Sequence, residues 1–324
     1  MRDLLERNQV WIYLGCILTG LLVGLKFPEM ASRLELAVWP VLGLLLYAPF
    51  LQIPLVHISR GIRDFRFLAG LLLGNFVVIP LVVGGLVSIL PVAMVVKVGV
   101  LLVLLVPCTD WFISFTHLGG GDAARATVAS PLLLIGQLIL TPLYLWLFLG
   151  SDWMSAALSG YLLAAFFGLI VLPLLIAFLT EKARESSQAL QRATHILEYL
   201  PVPLLALVVF TIAASQVGAV TGMTGPILQV MLIFVGYLVA AAFLGKCVSR
   251  WLSLPTPAAL TLTFSFGTRN SFVMLPVALT LPEPWQATVV IIVFQSLVEL
   301  FGMLFYLKWV PKMLVAEKSK AETD

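Results

Sequence analysis

The stretch Val106-Pro107-Cys108-Thr109-Asp110-Trp111 lies in the middle of an apolar segment, residues 95–117, that is long enough to cross a lipid bilayer. Pro107 has no amide hydrogen and clashes with the preceding turn, so it interrupts a helix at this point. Asp110 places a charge where the hydrocarbon is deepest, which costs about 2.5–3.5 kcal/mol on insertion scales and usually serves a function. A second stretch, Phe266-Gly267-Thr268-Arg269-Asn270-Ser271, places a charge of the opposite sign in a later apolar segment. We interpret the two stretches as interrupted helices that face each other and form a transport site.

The composition is that of an integral membrane protein. Of the 324 residues, 61% are hydrophobic and only 11% are charged, whereas soluble domains carry roughly 25% charged residues. No polar block is long enough for a separate soluble domain, so we expect one transmembrane domain over residues 1–324 with a cytoplasmic tail at residues 311–324. The lipid bilayer is an expected partner and nucleic acid is not. The three cysteines indicate no disulfide or zinc framework.

Apolar segments of about 20 residues, the length needed to cross a bilayer, predict ten transmembrane helices. Their approximate ranges are 10–27, 36–56, 67–90, 95–117, 129–149, 157–180, 200–220, 226–246, 256–280 and 286–310. Of the 19 Lys and Arg residues, all fall on the side of the N-terminus except Lys26, Arg33, Lys97 and the intramembrane Arg269. Because positively charged loops stay in the cytoplasm, we expect a multi-pass protein of the cytoplasmic (inner) membrane with both termini inside the cell.

Ten helices divide into two halves of five, residues 10–150 and residues 157–310. An odd number of helices in each half inverts the second half relative to the first, which is the inverted-repeat plan of many secondary transporters. A glutamine recurs in helices five and ten, and the same spacing carries Asp110 onto Thr268. We therefore predict an all-α membrane protein of two inverted five-helix repeats, with crossed, interrupted helices four and nine at equivalent positions.

A broken membrane helix leaves amide and carbonyl groups without partners, and protein, water or ligand must satisfy them. Two crossed breaks bring positive helix starts and negative helix ends together, which makes sites for anions and cations. We expect Asp110 and Arg269 to neutralise each other across this crossing. The candidate substrate-binding residues are Cys108, Thr109, Asp110, Arg269, Asn270 and Ser271.

A second set of polar residues is suited to binding the ion that drives transport. Glu299 is a buried acid that either carries a proton or pairs with Arg269. Two glutamines, Gln137 and Gln295, are expected to form hydrogen bonds across helices. The candidate ion-coupling residues are Asp110, Gln137, Thr268, Gln295 and Glu299.

Cys108 has two readings of equal weight. A buried cysteine is often a small apolar filler, but this one lies beside a proline break and in the same turn as Asp110. A thiolate is a soft ligand for thiophilic ions and metalloids. A single thiolate ligand would also release such an ion more readily than several would.

Four short runs carry a resemblance to a known family: Pro107-Cys108-Thr109-Asp110, Thr116-His117-Leu118-Gly119-Gly120-Gly121-Asp122, Thr268-Arg269-Asn270-Ser271-Phe272 and Leu297-Val298-Glu299. With these runs and its helix order, the chain resembles the bile acid:sodium symporter superfamily. Within it, the chain is most similar to the arsenite-efflux permease or arsenic resistance protein branch. The resemblance implies that Cys108 is the metalloid ligand and that Glu299 is the acid of helix ten. Val273 stands where the arsenite permeases carry an acid, and Arg269 adds a cation, which leaves room for an anionic substrate.

We therefore expect an ion-coupled secondary transporter with a small-molecule or ion substrate, and not an enzyme. The first expectation is efflux of arsenite or a small oxyanion by proton antiport. The alternative is sodium-coupled symport of an organic anion, either a bile-acid-type compound or a small carboxylate. No cofactor is expected apart from sodium or a proton as the coupling ion, and the sequence specifies no oligomeric state. A channel is disfavoured because crossed breaks in inverted repeats suit alternating access.

Overall fold

The computed structural model describes residues 2–53, 64–89, 93–157, 164, 166–184, 187–197, 199–217, 224–281 and 285–315. Within these ranges the regular structure is helical, apart from an isolated backbone bridge between the two predicted breaks. The α-helices are α1 (Arg2–Lys26), α2 (Pro28–Phe50), α3 (Phe65–Leu73), α4 (Ile79–Ile89), α5 (Met94–Leu104), α6 (Trp111–Leu118), α7 (Ala123–Ala157), α8 (Leu172–Arg184), α9 (Gln188–Leu197), α10 (Pro201–Ser215), α11 (Thr224–Trp251), α12 (Thr256–Gly267), α13 (Ser271–Leu279) and α14 (Thr288–Val315). The π-helical turns are Gly74–Val78 and Phe167–Val171, and a 3₁₀ turn is Trp285–Ala287.

Several helix ends follow directly from the local sequence. The Asp64 carboxylate caps α3 by accepting a hydrogen bond from the amide of Phe67 at 3.1 Å. Helices α2 and α10 begin with Pro28 and Pro201, which lack only an amide hydrogen that the first turn leaves unpaired. Pro107 lies in the gap between α5 and α6, where the sequence predicted an interruption.

Five of the described helices are long and apolar enough to cross a membrane, which makes the chain a multi-pass membrane protein. Their spanning parts are Asn8–Lys26, Phe65–Ile89, Ala123–Gly150, Ile227–Trp251 and Thr288–Leu314. Leu190–Leu197 and Pro201–Ser215 meet the same criterion together, as a pair bent by 48°. The search covers only the described residues, in which length and composition account for five or six crossings, so the prediction of ten stays a prediction.

Some predicted boundaries differ from the observed ones because the prediction counted only apolar residues. Helix α1 begins eight residues earlier than expected, and α14 continues through Val315 into the predicted tail. Helix α9 occupies a stretch that was expected to be a linker. The predicted segment ends at 54–56, 158–163 and 218–220, and the tail at 316–324, lie outside the described residues.

Thirteen of the 14 described α-helices pack as two groups, and the remaining one, α9, contacts α8. The first group contains α1, α2, α8 and α10, which contact one another extensively. The second group contains both broken helices, α5–α6 and α12–α13, together with α3, α4, α7, α11 and α14. Contacts between the groups are sparser and involve α13 and α14 of the second group. Both breaks therefore lie in the second group, and the first group packs beside it through fewer contacts.

Within the first group, α1 lies against α10 through two glycines. A Cβ atom on Gly20 would lie 2.4 Å from the carbonyl oxygen of Phe210, and one on Gly24 would lie 2.2 Å from that of Ala214. Small residues spaced four apart allow such close approach of membrane helices. Gly15, on the same helix, has open space at its Cβ position.

We predict that Gly24→Ala lowers the melting temperature of the purified protein, because the added methyl group separates α1 from α10. Gly15→Ala is the matched control, and it should leave the melting temperature unchanged or raise it, since alanine favours a helix over glycine by about 0.5–1 kcal/mol. Thermal unfolding in detergent measures both variants. Equal melting temperatures for the two variants would contradict the close contact.

Candidate functional site

The two breaks meet each other through backbone hydrogen bonds. The amide of Cys108 donates to the carbonyl of Thr268 at 3.2 Å, and the amide of Asn270 donates to the carbonyl of Val106 at 2.8 Å. These bonds form an antiparallel bridge between the unwound segments 105–110 and 268–270. Each break therefore satisfies backbone groups that the other has released.

The Arg269 side chain is only 2% exposed and lies among oxygen atoms. Its Nη2 atom donates to Asn75 Oδ1 at 2.7 Å, to the carbonyl of Ser265 at 2.7 Å and to that of Phe266 at 3.2 Å. Its Nη1 atom donates to the carbonyl of Leu104 at 3.4 Å. The backbone acceptors belong to the last turns of α5 and α12. Two helix ends, each carrying a partial negative charge, thus converge on one guanidinium group.

Two further residues hold this arrangement in place. The ring centroid of Tyr237 lies 5.7 Å from Arg269 Cζ, within the range of a cation–π interaction. The Tyr237 hydroxyl donates to the carbonyl of Phe266 at 2.7 Å. The Asn75 amide donates to Ser265 Oγ at 2.9 Å, which turns its oxygen towards the guanidinium.

The Glu299 carboxylate is bound at the start of α13. Its Oε2 atom accepts from the backbone amide of Arg269 at 2.9 Å and from the side-chain amide of Gln295 at 2.7 Å. The Ser271 hydroxyl donates to Gln295 Oε1 and links the acid to α13. A negative charge is favoured here because a helix start is electropositive. The other carboxylate oxygen, Oε1, has no hydrogen-bond partner among the described residues.

At the first break, the Asp110 carboxylate is partly exposed and the Cys108 thiol is buried. Cys108 is 2% exposed, and its Sγ atom donates to Asp110 Oδ1 at 3.1 Å. Asp110 itself is half-buried. The Ser130 hydroxyl donates to the carbonyl of Thr109, and the Asn270 amide donates to Thr109 Oγ1 at 3.4 Å. The unwound segment is therefore held by side chains from both neighbouring elements.

A cavity of about 590 Å³ lies between the two helix groups. Gln9 and Gln52 line it from the first group, and Thr109, Asp110 and Ser114 line it from the second. Most of the remaining lining is apolar or aromatic, and Asp110 is the one charged side chain among the described lining residues. A smaller pocket of about 40 Å³ also touches Asp110 and extends to the second break.

The predicted site residues are close together, but they do not share one pocket. Thr109 and Asp110 line the main cavity, and Asn270 lines the small one. Cys108, Thr268, Arg269, Ser271, Gln295 and Glu299 are buried behind these residues and line neither pocket. The single pocket predicted from the two stretches is therefore divided into a cavity wall and a buried network.

Two specific expectations, those for Arg269 and for Gln137, differ from the observed contacts. Among the described residues, Arg269 forms no ion pair with Asp110 or with Glu299, because its guanidinium is already held by neutral oxygens. Gln295 does bond across helices, whereas both side-chain amide atoms of fully buried Gln137 lack a described hydrogen-bond partner. The Thr268 hydroxyl bonds within its own helix, and its carbonyl makes the contact with the first break.

The prediction missed several residues that position the site. Ser130, Ser265, Tyr237 and Asn75 are not among the candidate site residues predicted from the sequence. Serine is too common in membrane helices to stand out, because its hydroxyl can bond to its own backbone. The Tyr237 hydroxyl, in the middle of a long apolar helix, was a usable signal, since a buried tyrosine hydroxyl usually finds a partner.

The chain matches one family model. The model described as the Sodium Bile acid symporter family matches residues 39–223, which is more than half of the chain. A search of curated proteins finds no match. The matched range contains the first break, Asp110 and Gln137, and it ends before the second break and Glu299.

The separation of cavity wall from buried network predicts different thiol reactivity at positions 114 and 108. Two single-cysteine proteins are compared, one with Cys108 alone and one with only the cysteine of Ser114→Cys. The second should react with a water-soluble maleimide roughly tenfold faster than the first, because reaction needs an accessible thiolate. Labelling rates in detergent measure this difference. Denaturation in sodium dodecyl sulfate should make the two rates alike, and equal rates in the folded protein would contradict the burial of Cys108.

Proposed function

Because the chain belongs to the sodium bile acid symporter family, we propose that it is a sodium-coupled secondary transporter of an amphipathic organic anion. Members of this family are transporters and not enzymes, which agrees with the expectation from the sequence. The observation that carries the proposal is the cavity between the two helix groups, which is lined by Asp110 of the first break. A secondary transporter holds its substrate at such a place, between a rigid body and a moving one.

The size and lining of the cavity support an organic substrate. Its volume of about 590 Å³ falls within the roughly 300–1,000 Å³ range of small-molecule sites, which are mostly apolar with a few placed polar groups. The lining follows that pattern, with Trp111 and Phe115 beside Gln9 and Gln52. A bile-acid-type compound or a carboxylate with an apolar part would fill this space.

The charge of the cavity supports coupling to a cation. An organic anion entering the cavity meets the Asp110 carboxylate, and two like charges in a weakly polar environment repel strongly. A sodium ion bound first by Asp110 and Thr109, both at the cavity wall, would remove that repulsion. Substrate binding would then require sodium, which is the physical basis of symport.

Other residues are proposed to support ion coupling from behind the cavity. Glu299 has a free carboxylate oxygen, and Gln137 has an unpartnered amide, within the described part of the chain. Gln295 links Glu299 to Ser271, and the carbonyl of Thr268 contacts the first break. A proton or ion bound at Glu299 would therefore alter the hydrogen bonds from Gln295 to Glu299 and from Ser271 to Gln295, and so affect the crossing.

We also propose ten transmembrane helices in two inverted repeats, with both termini on the cytoplasmic side of the inner membrane. The order of elements supports this: a long helix, a broken pair and a long helix occur as α3–α4, α5–α6 and α7, and again as α11, α12–α13 and α14. The antiparallel bridge between the breaks is the orientation that inverted repeats require. The basic residues of the loops support the orientation of the termini.

A second candidate function is arsenite efflux by proton antiport, as in the arsenite permease branch. The observation behind it is that the Cys108 thiol lies 3.1 Å from Asp110 Oδ1, beside the cavity wall. The thiol would condense with arsenous acid: an S–As bond forms, an As–O bond breaks, and the hydroxyl group leaves as water with the thiol proton, which Asp110 can relay. The burial of Cys108 behind the cavity wall ranks this function second.

We predict that Asp110→Asn reduces sodium-stimulated uptake of an organic anion about tenfold or more, because the amide carries no charge to bind sodium. A tenfold loss corresponds to about 1.4 kcal/mol of binding free energy. Proteoliposomes with a sodium gradient, compared with a choline gradient, measure the stimulation. The control is Asp64→Asn, which neutralises an acid that caps α3 outside the cavity and should leave stimulation intact. Full sodium stimulation in Asp110→Asn would sink the proposed coupling.

We predict that Cys108→Ala leaves sodium-driven uptake of organic anions nearly unchanged, since Cys108 does not line the cavity. The same variant separates the two candidate functions. If the protein is a sodium-coupled transporter of organic anions, inside-out vesicles that contain the parent protein should accumulate no arsenite when a pH gradient is applied. Accumulation of arsenite by the parent protein, abolished in Cys108→Ala, would establish the second function instead.

A further inference from the structure

The guanidinium of Arg269 is bound in the way that a small cation is bound. Four oxygen atoms accept its hydrogen bonds: Asn75 Oδ1 and the carbonyls of Leu104, Ser265 and Phe266. No carboxylate among the described residues forms an ion pair with it. We propose that Arg269 is a resident cation, which permanently occupies a monovalent-cation site formed by the ends of α5 and α12 and by Asn75.

The chemistry of the surrounding oxygens supports this assignment. Carbonyl oxygens replace the hydration shell of monovalent cations in membrane proteins, and the ends of broken helices bind such ions in transporters. Here the last turns of α5 and α12 supply three carbonyls, and each helix end adds a partial negative charge. A buried charge without such partners would be far too costly to keep in the membrane. The site therefore needs a positive charge, and the chain supplies it covalently.

The position of Arg269 separates this role from substrate binding. Its side chain is 2% exposed and lines neither pocket, so a substrate in the cavity does not reach it. Its backbone amide binds Glu299 instead, at the start of α13. The same residue thus places a positive charge at the helix ends and holds a negative group at a helix start.

The role of Arg269 in transport rests on the ion coupling proposed above. A cation site that is filled by the protein cannot bind or release an ion during the cycle. The exchangeable coupling ion is then excluded from the ends of α5 and α12, and these two helix ends stay neutralised in every state. The test uses protein stability, so its result does not depend on any transport assay.

Arg269→Ala should empty the site and make the purified protein's stability depend on small cations. In a choline salt, the melting temperature of Arg269→Ala should be lower than that of the parent protein. Addition of low-millimolar guanidinium, sodium or potassium should raise the melting temperature of this variant in a saturable way. The parent protein should show no such response to guanidinium. A second substitution, Asn75→Leu, should weaken the response of Arg269→Ala because it removes one of the four oxygens.

Arg125→Ala is the matched control for a general effect of guanidinium. Arg125 is partly exposed and binds the carboxylates of Asp64 and Asp122, so its removal leaves no cage of neutral oxygens. No saturable response is expected in this variant. A folded Arg269→Ala protein that responds to none of the three cations, or no more than Arg125→Ala does, would overturn the proposal.

A second pair of variants decides the question if Arg269→Ala does not fold. Arg269→Lys keeps a positive charge near the same oxygens, whereas Arg269→Met keeps a long side chain without the charge. The proposal predicts a clearly higher melting temperature and yield for Arg269→Lys than for Arg269→Met. Equal or reversed values would overturn it, because they would show that the oxygens need no cation.

Discussion

Backbone groups released where a membrane helix breaks find no hydrogen-bond partners in lipid. In this protein the two breaks meet this constraint largely by pairing with each other, through the amides of Cys108 and Asn270 and the carbonyls of Thr268 and Val106. Side chains satisfy much of the remainder. The Ser130 hydroxyl donates to an unwound carbonyl of the first break. The crossing is therefore a single hydrogen-bonded unit rather than two independent kinks.

The helix ends at the crossing also separate charges by sign. The ends of α5 and α12 are electronegative and surround the Arg269 guanidinium, whereas the start of α13 is electropositive and binds Glu299. This arrangement lets two ionisable side chains remain buried without forming an ion pair with each other. Asp110 alone of the three lines the cavity. Two charged groups are thus buried behind the cavity wall, and the third is at the wall itself.

The packing of the helices places the cavity between two groups, one of which contains both breaks. The second helix group holds both breaks, so the crossing stays intact if the first group moves as a body. The glycine-mediated contact of α1 with α10 keeps that first group together. The cavity lies at the boundary between the groups, where the contacts are sparser. Asp110 lies at this boundary, whereas Arg269 and Glu299 are buried within the second group.

The sequence by itself determined the membrane class, the positions of both helix breaks and the ionisable residues near them. These features are local: apolar length, a proline without an amide hydrogen and a charge inside an apolar segment are each visible within a few residues. Only the tertiary structure decided how the polar groups are shared. Arg269 was expected to face Asp110, but carbonyls of α5 and α12, with Asn75 from the turn after α3, reach its guanidinium first. Burial of Cys108 likewise depends on which side of the unwound segment faces the cavity. Such choices arise from contacts between residues far apart in the chain, and a pattern along one segment does not contain them.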